Sequence, residues 1–203
     1  MGRAFADIAF TETVRKIQRE LGSEGHLATL LDADEPRADR VGPDEHAFIA
    51  QRDGFYQAAV SETGWPYVQF RGGPRGFLKV LNEATLAYAD FRGNRQYVSA
   101  GNICDDGRVS LLLMDYPNQR RLKVWGRARL SNDAGLLARL HHAAYKAHPE
   151  RAVIVDIEAL DWNCPAHIPQ RLTVEELGPI LSPLREELEA LRAENAALKA
   201  ERP

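Results

Sequence analysis

Cysteine is almost missing from this chain: Cys104 and Cys164 are the only two in 203 residues, and they stand 60 positions apart. With no CxxC pair, neither a zinc knuckle nor a disulfide framework is expected, and both read as neutral buried thiols. Long apolar runs are missing too. None approaches the roughly 18 residues a membrane helix needs. The opening "MGRAFADIAFTETVRK" lacks the apolar core of a secretory signal and does not complete a myristoylation signal, so a cytoplasmic chain is expected. Neither GxxxxGK[ST] nor GxGxxG occurs, which excludes the two common phosphate-loop spacings. No carboxylate pair is spaced for glycosidase-type acid and base work, and no Ser-His-Asp pattern is visible. His141 and His148 lie seven apart without a third ligand, so solvated or capping roles are expected rather than a metal site.

An apolar content of 44% beside 27% charged residues is that of a globular domain with a core and a short appendage. The net charge of −3 is unevenly spread: residues 52–129 hold ten Arg and two Lys against seven acidic residues, a local +5. A positive centre inside an acidic protein suits a local anion ligand better than DNA, which favours a broadly basic domain.

"FTETVRKIQRELG" reads as a helix capped by Thr11, with Val14, Ile17 and Leu21 on one face and Gly22 at its end. Residues 23–42 read as a loop or irregular lead-in, and a second helix is expected around "PDEHAFIAQRD", with Asp44 as its cap. From about residue 55 the texture changes to short strands: "FYQAAV", "YVQFR", "TLAYADF", "QYVSAGN", "RVSLLLM", "RRLKVWGRARL" and, after a helix capped by Asn132 or Asp133, "AVIVDIEAL". In "YVQFR", Tyr67, Gln69 and Arg71 share one face while Val68 and Phe70 share the other. The continuous run in "RVSLLLM" predicts burial on both faces. Six or seven strands without room for helices between them predict a mainly β, antiparallel barrel or sandwich with flanking helices.

The tail "LSPLREELEALRAENAALKAE" carries a heptad. Leu181, Leu188 and Asn195 fall at a, and Leu184, Leu191 and Leu198 at d. Glu187 and Glu194 fall at g, and Arg185, Arg192 and Lys199 at e. A single Asn at a within a leucine seam favours a parallel two-stranded coil, and the alternative is an amphipathic helix packed on its own barrel. The organisation expected is a lead-in over 1–44, a barrel over 45–175 and a heptad helix over 176–203.

Three basic clusters are candidate anion sites. "RGGPRG" reads as a turn that ends a strand, leaving Arg71 and Arg75 for an anion, since Pro74 removes a backbone donor. "DFRGNRQY" places Arg92 and Arg95 around a Gly-Asn turn able to present backbone N–H groups. The third cluster is Arg120, Arg121 and Lys123.

The order of "GWPYVQFRGGPRGFLKVLNEATLAYADFRGNRQYVSAGNI" and "LMDYPNQRRLKVWGRARL" resembles the pyridoxamine 5'-phosphate oxidase-like family of FMN-binding split barrels over roughly residues 45–172. "DWNCPAHIP" is similar to stretches in its predicted flavin-nucleotide-binding subgroup. The resemblance implies a split barrel with FMN at a homodimer interface, and relatives of this fold use deazaflavin or haem instead. It implies flavin-ring, ribityl and phosphate contacts from Val68, Gln69, Phe70 and Arg71, and phosphate contacts from Asp90, Asn94 and Arg95, with Gln96 beside them. Arg121 takes the place of a flavin-contacting glutamine in an RQVRVxG-like strand. The family's oxidases grip pyridoxal phosphate with a W…RLHDR-like segment. Trp162, Arg171 and Leu172 match it here, but Thr173 replaces its His and Glu175 its Arg. A carboxylate there repels a substrate phosphate. The expectation is therefore an FMN-dependent oxidoreductase other than a true pyridoxamine phosphate oxidase, or a non-catalytic flavin carrier or sensor.

Overall fold

Period-two alternation decides the architecture. The computed structural model of the chain describes residues 3–25, 39–142, 144–162 and 164–200. Seven strands form one antiparallel sheet: β1 Gly54–Val60, β2 Pro66–Gly72, β3 Lys79–Asn82, β4 Thr85–Phe91, β5 Arg108–Asp115, β6 Arg120–Ser131 and β7 Pro149–Trp162. Their order is β2-β1-β5-β6-β7-β4-β3. The helices are α1 Arg3–Ala9, α2 Glu12–Glu20, α3 Pro43–Ala50, α4 Val98–Asp105, α5 Ala134–Leu140 and α6 Val174–Ala200. This is a mainly β split barrel with flanking helices.

Phe55, Leu111, Leu113, Leu122, Val124, Leu86, Tyr88, Val153 and Val155 turn to one side of the sheet and form the barrel core. On β4 and β7 the other side is buried as well, because Ala87, Ala89, Ala152 and Ile154 pack under Leu140 of α5. Small residues on that side let the helix approach closely. The two longest strands, β6 and β7, make the most extended ladder. At Gly126 that ladder carries a bulge, with Glu158 of β7 unpaired between Ile157 and Ala159. A Cβ at Gly126 would lie 2.4 Å from the Asp156 carbonyl oxygen, so only glycine fits there.

The chain forms two compact units. One runs through Asp115 and resumes from Arg120 to Ala166; the other joins Tyr116–Gln119 to the stretch from His167 onward. No helix among the described residues is long and apolar enough to cross a membrane.

Several local expectations hold. Thr11 Oγ1 accepts from Val14 N–H at 3.4 Å, and Asp133 Oδ1 from Leu136 N–H at 2.6 Å. Others change. The helix at Pro43 starts at Gly42, whose N–H donates to Glu45 Oε2 at 3.0 Å, and Asp44 lies inside its first turn. "QYVSAGN" is not a strand: Gln96 and Tyr97 belong to a loop and Val98 opens α4. β5 alternates, with Leu111 and Leu113 buried while Leu112 and Met114 stay half-exposed. Both cysteines are exposed rather than buried. The lead-in prediction falls largely on residues 26–38, outside the described residues.

Candidate functional site

The glycines of "RGGPRG" serve the turn itself. Gly73 N–H donates to Asp53 O at 2.9 Å and Gly76 N–H to Arg52 O at 2.9 Å, so neither is available to a ligand. Gly76 has φ +71°, and a Cβ on it would sit 2.9 Å from the Ala50 carbonyl oxygen. The turn thereby fixes where β2 ends.

The register of β2 on β1 pairs Arg71 with Phe55, which faces the core, so Arg71 and Gln69 point inward. Across the gap in the barrel, β4 turns Tyr88 and Asp90 the same way. No backbone ladder joins β2 to β4; Arg71 Nη1 bridges them to Asp90 Oδ1 at 2.6 Å. The guanidinium also lies 5.7 Å from the centre of the Tyr88 ring. With its amide oxygen turned inward, Gln69 accepts from Arg71 Nε at 2.8 Å. Arg71 is thus a strut across the split, already committed to Asp90 and Gln69.

The other arginines sort by the same test. Asp90 meets Arg151 at 3.6 Å, Arg151 meets Glu150 at 3.1 Å, and Glu150 meets Arg92 at 3.1 Å. The hydrogen bond from Arg92 holds the Glu150 carboxyl below its ordinary range, with Arg151 adding to the effect. Arg95, at φ +60°, makes no ion pair among the described residues. Four arginines therefore surround two carboxylates, leaving an excess of positive charge at the mouth of the cleft, and the uncommitted cation is Arg95.

Beside Arg95 the backbone turns tightly into α4. Asn94 Oδ1 accepts from Gln96 N–H at 3.1 Å, closing a small turn. Tyr97, at φ +55°, precedes α4 without a side-chain cap, so the first-turn N–H groups of α4 keep no intrahelical acceptor and open into the cleft. Two non-glycine residues in left-handed conformation within three positions store local strain, which is characteristic of ligand sites. Ser99, in that first turn, is held from below. The buried Tyr88 hydroxyl donates to Gln57 Oε1 at 2.5 Å, and Gln57 Nε2 donates to Ser99 Oγ at 2.9 Å. Ser99 itself lines the cleft. Burial raises the Tyr88 phenol well above its ordinary pKa, so it remains a donor.

The cleft has two lobes. A polar lobe of about 470 Å³ is lined by Gln69, Arg71, Asn94, Arg95 and Ser99 among others. A larger lobe of about 770 Å³ adjoins it and adds Phe77, Tyr88 and Ala89. Gln69, Arg71 and Asn94 line both lobes, so the cleft is polar along its length and matches an elongated, polar, anionic ligand.

The predicted site residues fall into separate places. Gln69, Arg71, Asp90, Asn94, Arg95 and Gln96 come together in the cleft, with Arg92 just outside in the ion-pair chain. Val68 and Phe70 project from the opposite face of β2, where Phe70 covers Gly54 and meets the Tyr56 ring at 5.5 Å, its strand position still edging the larger lobe. Arg121, opposite Met114, shares that outer face. Trp162 donates to Glu45 Oε1 at 2.5 Å beneath the Arg120 guanidinium, as part of the packing around Phe48. Arg171 lies in the second unit over the Tyr116 ring at 5.0 Å. Thr173 has a structural role: its Oγ1 accepts from Glu176 N–H at 3.2 Å while Glu176 Oε2 accepts from Thr173 N–H at 2.8 Å, a capping box that starts α6. Sequence reasoning missed Gln57, Tyr88 and Ser99, whose only sequence signal was polar residues at positions the alternation assigns to the core.

A split barrel whose gap holds a two-lobed, arginine-lined cleft is the class that fold and site define. The chain belongs to the pyridoxamine 5'-phosphate oxidase family, whose model matches residues 43–162. No curated protein matches it. Solved structures similar to it include an FMN-binding protein from Syntrophomonas wolfei (14% identity over 75% of this chain and 96% of that one, TM-score 0.48). Others are HupZ from Group A Streptococcus (15%, 59% and 91%, TM-score 0.46) and General Stress Protein 26 from Bacillus anthracis (14%, 59% and 91%, TM-score 0.46).

Proposed function

We propose that this protein binds FMN in the cleft between β2 and β4, as a homodimer, and acts as a flavin-dependent oxidoreductase. The observation that carries the reading is the uncapped first turn of α4, opening beside the unpaired Arg95 at the polar end of a cleft whose other end is lined by Phe77 and Tyr88. The donor set suits a phosphate monoester: an arginine, backbone N–H groups and the Ser99 hydroxyl. Arg95 and the α4 turn would hold the phosphate, Gln69 and Asn94 the polar chain, and the larger lobe the ring. When bound, FMN supplies hydride or electron transfer. The chain's own contribution is orientation and charge. Arg71 and Arg151 neutralise Asp90, so the cleft does not repel a phosphate, and the Tyr88–Gln57–Ser99 chain fixes the Ser99 hydroxyl in the cleft lining.

The homodimer is supported by the outer face of β2 and β1, where Val68 is 60% and Phe70 59% exposed. Strand side chains on opposite faces cannot both meet one small ligand unless two chains supply them. A second copy would bring Val68, Phe70 and Arg121 to the flavin held by the first. A cation beside the ring favours its reduced, anionic form. Because Thr173 is engaged in a helix cap and Glu175 stands where the family's oxidases carry Arg, the reading does not extend to the phosphate grip of a true pyridoxamine phosphate oxidase.

The test is titration of the purified protein with FMN, followed by anaerobic mixing with NADH and NADPH. Yellow protein that takes up one FMN per chain and bleaches on mixing is expected. Protein that neither carries nor takes up FMN would overturn the proposal, and uptake without reduction by either donor would make it a flavin carrier or sensor.

A further inference from the structure

The capping box of Thr173 and Glu176 starts α6 seven residues earlier than the leucine seam alone implies, at Val174. The same heptad then gains Val174 at a and Leu177 at d. The seam runs over four heptads, with Val174, Leu181, Leu188 and Asn195 at a and Leu177, Leu184, Leu191 and Leu198 at d. At 27 residues the helix is about 40 Å long.

The residues that would disturb a coil lie away from this seam. Pro179 falls at f, Pro183 at c and Gly178 at e. Much of the seam is bare: Val174 is 87% exposed, Leu184 59%, Leu188 47% and Leu191 55%, while Leu177 and Leu181 are half-buried. A leucine stripe of this length left in water is a strong drive to pair. The root of the helix is held within its own unit. Gln119 Nε2 donates to Ile168 O at 2.6 Å, and Gln170 Nε2 donates to Pro117 O at 2.9 Å.

We infer that α6 is one strand of a parallel, in-register, two-stranded coiled coil, and that the other strand is α6 of a second copy of this chain. Charge selects this occupant. In a parallel pair, Glu187 at g faces Arg192 at e of the other strand, and Glu194 faces Lys199, so each chain carries both halves of the pairing. Asn195, the one polar residue at a, meets its own copy when the strands are parallel and in register. An antiparallel pair would bury it against leucine. The inference is independent of the flavin reading, since nothing in it uses the cleft.

The experiment places one cysteine at a time on the full-length protein, in a background where exposed Cys104 and Cys164 are replaced by Ser. Leu177→Cys and Leu191→Cys lie on the seam near opposite ends; Ala193→Cys, at f, points away from it. Under mild oxidation at low protein concentration, both seam variants should form disulfide-linked dimers about tenfold faster than Ala193→Cys. Cross-linking at Leu191 without Leu177 would mean a shifted or antiparallel pairing and would overturn the proposal. So would equal rates at all three sites, or none at either seam site in protein whose helix content by circular dichroism is unchanged, which would assign the seam to a different partner. Asn195→Leu provides a second arm: it should leave the Leu191→Cys cross-link forming but let the Leu177→Cys cross-link weaken, because the residue that fixes register is gone.

Discussion

Among the arginines of the cleft, the carboxylates decide which are free. Arg71 and Asp90 form a largely buried pair at 2.6 Å that spans the split. Removing one member leaves the other charge uncompensated, so Asp90→Ala should cost about 3–5 kcal/mol in urea unfolding, whereas Arg71→Met with Asp90→Leu should cost far less. Equal losses in the two variants would mean that the pair is not a strut. Tyr88 gives a prediction in pH. Its folded-state pKa is raised by burial, while the unfolded chain ionises near 10. The native state therefore keeps a proton that the unfolded state loses, and the Tyr88 contribution to stability should be flat below about pH 10 and fall by about 1.4 kcal/mol per pH unit above it. Tyr88→Phe should flatten that alkaline limb, at the cost of leaving Gln57 Oε1 without its donor. The sequence offered Arg71, Arg92 and Arg95 as candidates for one anion, and the structure brings Arg71 and Arg95 to the cleft lining with Arg92 beside it. It could not tell which of them was spare, because Glu150 and Arg151 reach them only through the pairing of β7 with β4, about 60 residues along the chain.

At the scale of elements, strands with clean alternation were legible. β2 keeps Tyr67, Gln69 and Arg71 on one face and Val68 and Phe70 on the other, as a period of two requires, but which face turns inward was not legible because the apolar pair is the exposed one. α4 was not legible: "QYVSAGN" has the β-branched and aromatic content of a strand, and what makes it a helix is the left-handed turn at Tyr97 that redirects the chain. β3 escaped notice because it is four residues long and half-exposed. The β6–β7 ladder depends on one position that no periodicity marks. At Gly126 the strands approach so closely that a methyl group would collide with the Asp156 carbonyl, and backbone cannot rotate away as a side chain can. Gly126→Ala should therefore lower stability by about 2–4 kcal/mol, read as a fall in thermal midpoint, while Gly93→Ala, with open space around it, should stay within about 0.5 kcal/mol. A Gly126→Ala protein of unchanged midpoint would mean that the ladder is looser than its register implies.

For the whole molecule, the telling fact is that residues expected to touch one flavin stand on both faces of one sheet. Gln69 and Arg71 face the cleft, while Val68, Phe70 and Arg121 face outward. α1 covers part of that outer side, with Phe5 against Trp125 at 4.4 Å, and leaves the β1–β2 portion open. If two copies meet there, each flavin site is composite: a cleft from one chain and an outer face from the other. Two kinds of variant then separate what a monomeric site would merge. Arg95→Glu disables the cleft and leaves the outer face intact; Arg121→Glu does the reverse. Each homodimer should bind FMN at least about tenfold more weakly, the loss expected when a charged contact is reversed. Mixed after reversible dissociation, the two should form heterodimers in which one site carries both lesions and the other carries neither. Binding should then return to one FMN per heterodimer at the original affinity. A monomeric site has no such route: mixing would leave every cleft with its own defect, and the binding curve would be the average of the two variants. Random re-pairing makes heterodimers of about half the dimers, so recovery of about a quarter of all sites, measured by flavin fluorescence quenching against the unmixed variants, is the outcome the composite site requires.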